Sequence, residues 1–354
     1  MKALPRTAAL ACALATAVLA WTSAATAATS DPYFGLQWSL QQLRAEPAWS
    51  TSTGAGQVIA VVDTGVDLTH PDLAGKLVPG ATFTGCANKP AGCGNGDWKS
   101  GSSSGAPSPH GTHVAGIAAA ATNNGIGIAG VAPDAKIMPV KVLTADGGSF
   151  DEVAAGVRWA ADHGANVITL SLGALPGAQA LVITGIEPAA EEAIAYALSK
   201  GIVVTIAAGN EFVAPLCDEP AFTNGALCVV ATDRDELKAS YSNFAIKPDS
   251  NVVAAPGGAA LLACGDDVIS TVPAGTESSC GAGRPGYDFY AGTSMATPHV
   301  AGVAALLTAQ GRTAAQVVSV LKATARTPGV AVRGTYTPVY GSGIVDAAAA
   351  VAAP

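Results

Sequence analysis

Val58-Ile59-Ala60-Val61-Val62-Asp63-Thr64-Gly65 is the stretch on which the fold turns. Five consecutive apolar residues, three of them Val and one Ile, suit a strand buried on both faces, and such strands belong to parallel sheets covered by helices. The run stops on a carboxylate and a Thr-Gly turn, so Asp63 stands at the carboxyl end of a buried strand, where open α/β sheets build their sites. Capping the turn is the plainer use of an Asp in this place, and the rest of the chain has to decide between the two.

Outward from this stretch, 137–142, 166–171 and 202–206 have the same apolar, β-branched character, and 151–163, 187–200 and 295–309 carry helical patterns. The alternation predicts an α/β fold whose mostly parallel sheet is covered on both faces. Helix punctuation agrees: Ser149-Phe150-Asp151-Glu152 and Thr313-Ala314-Ala315-Gln316 fit the capping box, and Gly164 and Gly201 stand where helix ends favour glycine. Residues 80–109 shift to Gly, Ser, Pro and Asn, a surface excursion between strands of one sheet, and 172–187 hold a second Gly/Pro-containing insertion.

The chain opens with Lys2 and Arg6, an apolar run from about Thr7 to Leu19, and Ala25-Thr26-Ala27. This is the pattern of a secretory signal with a small-residue cleavage site, too short and Ala-rich for a membrane span. The expected division is a signal peptide over 1–27 and one domain over 28–354, exported to the extracellular space. Removing the signal takes away two basic residues and no acid, so the net charge of -8 becomes -10. That balance disfavours nucleic acid and anionic membranes as partners, and nothing in it calls for association beyond a monomer. Of the 7 cysteines, Cys12 leaves with the signal. The remaining six fall into three neighbouring couples in loop-like segments, predicting disulfides Cys86–Cys93, Cys217–Cys228 and Cys264–Cys280 in an oxidising compartment. No couple has the two-residue gap of a zinc site, and no His lies beside one.

Two further segments bring residues with chemistry. His110-Gly111-Thr112-His113-Val114-Ala115-Gly116 opens a small-residue helix with an imidazole in its first turn; the His-x-x-His spacing and the missing Glu argue against a zinc helix. Gly292-Thr293-Ser294-Met295-Ala296-Thr297-Pro298-His299-Val300-Ala301-Gly302 places a Ser at the amino end of a second such helix, where free N–H groups and the dipole favour developing negative charge. Taken singly, the Ser could be an N-cap and the His a packing residue.

Together with Ser171-Leu172-Gly173 and Ala207-Ala208-Gly209-Asn210, these segments resemble the subtilisin-like (S8) serine peptidases, in that family's order Asp, His, Ser, from about Asp31 to Asp346. The resemblance implies a subtilisin-like three-layer α/β/α domain and a serine endopeptidase acting on proteins or peptides. Ser294 would be the nucleophile, His110 the general base, Asp63 the residue that holds the imidazole, and Asn210 an oxyanion donor. It further implies that Ser171, Leu172 and Gly173 pair with an extended substrate. Ala207, Ala208 and Gly209 would wall a pocket for apolar or aromatic side chains before the cut, with Glu211 making the rim partly polar. Met295 would be sensitive to oxidation. A calcium site like that of thermitase-like members would use the side chains of Asp31, Asp72 and Asn124 and the carbonyls of Thr122, Ile126 and Ile128. His70, His113 and His299 accompany the motifs as structural residues, and His163 suits a helix carboxyl end. Two rivals fit less well. An α/β-hydrolase wants Gly-x-Ser-x-Gly and the order Ser, Asp, His. A secreted binding module has no need for Asp63, His110, Asn210 and Ser294 together.

Overall fold

The computed structural model describes residues 1, 29–85, 108–144, 146–173, 188–212, 217, 220–260, 263–276, 280 and 283–354. Residues 2–27 of the predicted signal peptide, the Cys86–Cys93 couple, 86–107 of the first excursion and 174–187 of the second insertion lie outside the described residues.

The central sheet is built from β1 (Val58–Asp63), β2 (Ala81–Thr82), β3 (Lys136–Lys141), β4 (Val167–Leu170), β5 (Val203–Ala207), β6 (Leu227–Thr232) and β7 (Val252–Pro256). Their spatial order is β2-β3-β1-β4-β5-β6-β7, with every neighbouring pair parallel. The chain runs from β1 outward to β2 and β3 on one side, then returns to lay β4 on the other. β1 therefore marks the switch point, and its last residue, Asp63, faces the crevice such a switch opens.

Alternation along β1 produces the layers. Ile59 and Val61 point into one apolar cluster with Val114, Ile117, Val300 and Val303 from helices Pro109–Ala119 and Thr293–Ala309. Ala60 and Val62 point into the other, with Val153 and Val157 of helix Phe150–Asp162 and Ile194 of helix Pro188–Ser199. Full burial of such side chains, at about 1.5–3 kcal/mol each, is what holds helices to both faces. The three-layer α/β/α expectation is met.

Both capping boxes form: Ser149 with Glu152, and Thr313 with Gln316. Gly164 and Gly201 adopt φ of 92° and 81°, the left-handed conformation that ends a helix at no steric cost. Two of the three predicted disulfides are present, Cys217–Cys228 and Cys264–Cys280. The loop expected around Cys228 is instead β6, where Cys228 is buried between Leu227 and Val229; Asn224-Gly225 turns just before it and masks the strand. A two-stranded antiparallel sheet, β8 (Val268–Thr271) with β9 (Tyr287–Tyr290), also stands apart from the main sheet.

Small residues set the distance between the two helices on the site's side. A Cβ added at Gly302 would lie 2.5 Å from Val131 Cβ and 3.2 Å from the Ala118 carbonyl oxygen. Gly302→Val is expected to cost about 1–3 kcal/mol by overpacking, read as a lower urea midpoint with an unchanged slope. A midpoint equal to that of the parent chain would show that the helices can separate without cost.

Candidate active site

β1, β4 and β5 are adjacent, and their carboxyl ends deliver Asp63, the segment Ser171-Leu172-Gly173 and the segment Ala208-Gly209-Asn210 to one edge. Helices Pro109–Ala119 and Thr293–Ala309 begin at the same edge, so their unpaired first N–H groups face it.

Asp63 is wholly buried. Its Oδ1 accepts from the Thr64 N–H (2.7 Å), the Thr64 hydroxyl (3.0 Å) and His110 Nδ1 (2.8 Å). Pro109 opens the helix at its first position and His110 follows, with its side chain 36% exposed. Gly111 makes the approach possible, since a Cβ there would stand 2.2 Å from the Gly65 carbonyl oxygen. Desolvation pulls the His110 pKa down, but the charge of Asp63 and its hydrogen bond outweigh that and leave it raised above the ordinary 6.5. With Nδ1 committed to Asp63, Nε2 is the nitrogen left to exchange a proton.

Behind His110, the antiparallel pair braces its helix. The Ser270 hydroxyl donates to His113 O (2.7 Å) and the Thr271 hydroxyl to Thr112 O (2.8 Å). His113 is buried, stacks on Tyr290 and meets the Val268 and Asp288 carbonyls through Nε2. Burial drives its pKa down to about 3, and that of His299 to about 4. His299 bonds Met295 O through Nδ1, and His70 accepts from Asp72 N–H, so all three serve as packing and capping groups. His163 follows the last residue of helix Phe150–Asp162 and stacks on Trp159.

Ser294 is the second residue of its helix and half-buried. Its hydroxyl donates to Ser171 O (3.2 Å), and among the described residues it has no hydrogen bond to His110. Asn210 is oriented by Thr293, whose N–H (2.9 Å) and hydroxyl (3.0 Å) both reach Asn210 Oδ1. An N–H cannot accept, so the amide oxygen must face Thr293 and Nδ2 must face away. Gly292 lies next to both groups: a Cβ built there would be 3.6 Å from Ser294 N, 3.7 Å from Asn210 Nδ2 and 3.9 Å from Asn210 Oδ1, so the Asn210 amide and the amino end of the Ser294 helix are neighbours.

Ala207 ends β5, Ala208 and Gly209 follow it, and all three are buried, as is Leu172, two residues after β4. Asn243, which the sequence did not single out, cradles this turn: its Nδ2 donates to Ala208 O (3.0 Å) and Glu211 Oε2 (2.7 Å), and its Oδ1 accepts from Glu211 N–H (3.1 Å). Lys141 was also passed over. It pairs in register with Asp63, is 7% exposed and donates to Thr64 O (2.9 Å). Burial lowers its pKa while Asp63 works against that. A lysine inside the apolar run Val140-Lys141-Val142 was the available signal.

The predicted oxygen cluster assembles on a separate face. Asp31 accepts three backbone N–H groups, from Asn123 (2.9 Å), Asn124 (3.1 Å) and Gly125 (3.3 Å). Asp72 accepts from Asn124 Nδ2 (2.7 Å), Ile128 N–H (2.9 Å) and the Tyr287 hydroxyl (3.1 Å). Thr122 uses its hydroxyl on Ala120 O and Gly130 N–H, while Ile126 N–H bonds Asn124 Oδ1. Both carboxylates are buried, no Lys or Arg among the described residues pairs with either, and burial raises the Asp72 pKa.

Comparison with known proteins agrees with this geometry. The family model described as the subtilase family, peptidase S8, matches residues 54–343. Thermitase of Thermoactinomyces vulgaris is 42% identical over 325 residues, covering 91% of this chain and 98% of its own. An extracellular protease of Xanthomonas campestris pv. campestris is 37% identical over 361 residues, spanning 93% of this chain but 57% of its own length. Among solved structures, a protease of Pseudoalteromonas arctica superposes with a TM-score of 0.73 at 36% identity, covering 92% of this chain and 98% of that one.

Proton NMR of the imidazoles tests the electrostatics. His113 and His299 should stay neutral across pH 5–9, whereas His110 should titrate above its ordinary value. Asp63 favours the imidazolium, so Asp63→Asn should move the His110 midpoint downward. A midpoint that stays in place would mean the carboxylate does not act on the ring.

Proposed function

Because the chain belongs to the subtilase family, peptidase S8, we propose that it is a secreted endopeptidase in which Ser294, His110, Asp63 and Asn210 carry the reaction. The observation that supports this most is the 2.8 Å bond from His110 Nδ1 to the buried Asp63, at the strand edge where the Ser294 helix begins. The ring nitrogen left free is the one a neighbouring hydroxyl can use.

In the proposed reaction an extended peptide lies along Ser171-Leu172-Gly173. The Ser294 hydroxyl leaves Ser171 O, passes its proton to His110 Nε2 and attacks the scissile carbonyl carbon. The raised pKa of His110 matches this duty, because the imidazolium formed next to Asp63 is stabilised as it appears. The carbonyl oxygen gains negative charge between Asn210 Nδ2 and the Ser294 N–H, donors fixed before the reaction starts. Collapse breaks the C–N bond, His110 hands the proton to the leaving amine, and an acyl-Ser294 ester remains. Water, deprotonated by the same imidazole, then attacks the ester, and the hydroxyl is regenerated.

Ala207, Ala208 and Gly209 leave space for a large apolar or aromatic side chain before the cut. Glu211 is drawn aside to Asn243, which lessens its polar character at the rim. Export is supported by the signal-like first 27 residues and by the extracellular protease among the relatives. No helix among the described residues is long and apolar enough to cross a membrane.

Calcium fits the Asp31–Asp72 cluster. Two buried carboxylates that no Lys or Arg among the described residues pairs with, together with an Asn, form a hard oxygen set to which a divalent cation would supply positive charge. The side chains of Asp31, Asp72 and Asn124 with carbonyls of the 122–128 loop would hold it, once the Asn124 amide turned its oxygen away from Ile126 N–H. A raised carboxyl pKa means that ionised Asp72 costs the fold stability at neutral pH, a cost that bound cation removes.

Casein digestion and fluorophosphonate labelling test the nucleophile: Ser294→Ala should abolish both while folding normally, and residual labelling at another site would reject Ser294. Asn210→Ala should lower kcat by about 10²–10³, the loss associated with an oxyanion donor in this family, with the fold intact. Chelation should lower Tm by about 5 °C or more, with calcium restoring it and Asp72→Asn abolishing the response. A Tm indifferent to calcium would remove the ion from the account.

A further inference from the structure

Pro298 stands sixth in helix Thr293–Ala309 and has no N–H, so the carbonyl four residues earlier, that of Ser294, loses its helical donor. The neighbouring carbonyls keep the N–H groups of Thr297 and His299 as helical donors, and in addition the Thr297 hydroxyl donates to Thr293 O (2.8 Å) and His299 Nδ1 meets Met295 O (2.8 Å). For Ser294 O the donor comes from another strand. The Ser171 hydroxyl, just beyond β4 and 3% exposed, reaches it at 2.9 Å. The same residue also accepts the Ser294 hydroxyl on its own carbonyl (3.2 Å).

We infer that Ser171 is a positioning residue, whose side-chain hydroxyl replaces the hydrogen bond that Pro298 removes and thereby fixes the backbone of the nucleophile. This rests on the peptidase reading above and adds a side-chain role to a residue otherwise engaged through its main chain. A proline ring also crowds the carbonyl four residues back, tilting it out of the helix. Ser294 O meets the Ser171 hydroxyl just beyond β4. Because Ser294 N–H is one of the two proposed oxyanion donors, the peptide plane held by Ser171 continues directly into the reacting group. Loss of the hydroxyl leaves a half-buried acceptor without its partner and lets the first turn shift. A shift of even about 1 Å at a reacting atom is costly in rate.

A double-mutant cycle separates positioning from general structure. In the Pro298 background, Ser171→Ala should lower kcat for a short peptide anilide about tenfold, with KM changed by less than about twofold. In the Pro298→Ala background the restored N–H at position 298 serves Ser294 O, so Ser171→Ala should lower kcat by less than about twofold. Fluorophosphonate labelling rates at Ser294 should follow the same pattern. Equal losses in both backgrounds, or no loss in the Pro298 background, overturn the inference. Should Ser171→Ala fold only alongside Pro298→Ala, the coupling is established by folding itself; failure to fold in both backgrounds overturns it. A wild-type chain that takes no fluorophosphonate removes the nucleophile and this inference with it, whereas normal wild-type labelling with a flat cycle removes the inference alone.

Discussion

A carboxylate with no exposure to solvent ends β1, and much of the architecture around it serves to bring donors to its Oδ1, while its buried Oδ2 has no hydrogen-bond partner among the described residues. Burying an ionised Asp without partners costs several kcal/mol, so donors have to be supplied at fixed positions. Thr64 supplies two, locally and cheaply, through its own N–H and hydroxyl. The third comes from His110, 47 residues on, and it can arrive only if a helix amino end is brought against the strand end. Gly111 allows that contact, and Ser270 and Thr271 pin the helix from behind. An otherwise unexplained feature, the small antiparallel sheet, thereby acquires a role: it holds the imidazole's helix in register with the carboxylate.

The Ser294 helix answers a different constraint. It packs on the main sheet and on the His110 helix at once, which its Gly and Ala positions permit, but its first turn must also present N–H groups to the crevice. A proline near that turn keeps the end from closing into regular hydrogen bonding and costs a donor. The cost is offset by the Ser171 hydroxyl, which reaches the carbonyl that lost its donor, while Thr297 and His299 add side-chain bonds to the carbonyls on either side. Regular helix and functional end are reconciled by borrowed hydroxyls and an imidazole rather than by backbone alone.

Legible from residues alone were those elements whose local signal and tertiary role coincide. β1 is apolar throughout because both its faces are covered, and the Ser149 and Thr313 capping boxes are written in adjacent residues. The site motifs were legible because each lies at a strand or helix end, where Gly, Thr, His and Ser stand out from apolar runs. Less legible was whatever depends on distant chain. β6 hides behind Asn224-Gly225 and a cysteine that suggested a loop, although Cys217–Cys228 was correctly paired. Lys141 reads as one polar residue in a strand until register sets it beside Asp63. The Thr293–Asn210 and Ser171–Ser294 contacts span 83 and 123 residues, and no periodicity encodes them.

The amide of Asn210 illustrates why such contacts matter more than the identity of the residue. An exposed asparagine is free to present either oxygen or nitrogen, and one that turned its oxygen towards developing negative charge would repel it. Here the choice is removed by Thr293, because an N–H and a hydroxyl converging on one oxygen leave only one arrangement with both bonds made. Thr293 in turn precedes the proposed nucleophile, so the donor on β5's loop and the donor on the helix are fixed to each other through a single residue. Electrostatic stabilisation is effective when dipoles need no reorganisation as charge appears. In the proposed site that condition would be met by a side chain with no reaction chemistry of its own, because it is Thr293, the residue before the serine, that orients the Asn210 amide.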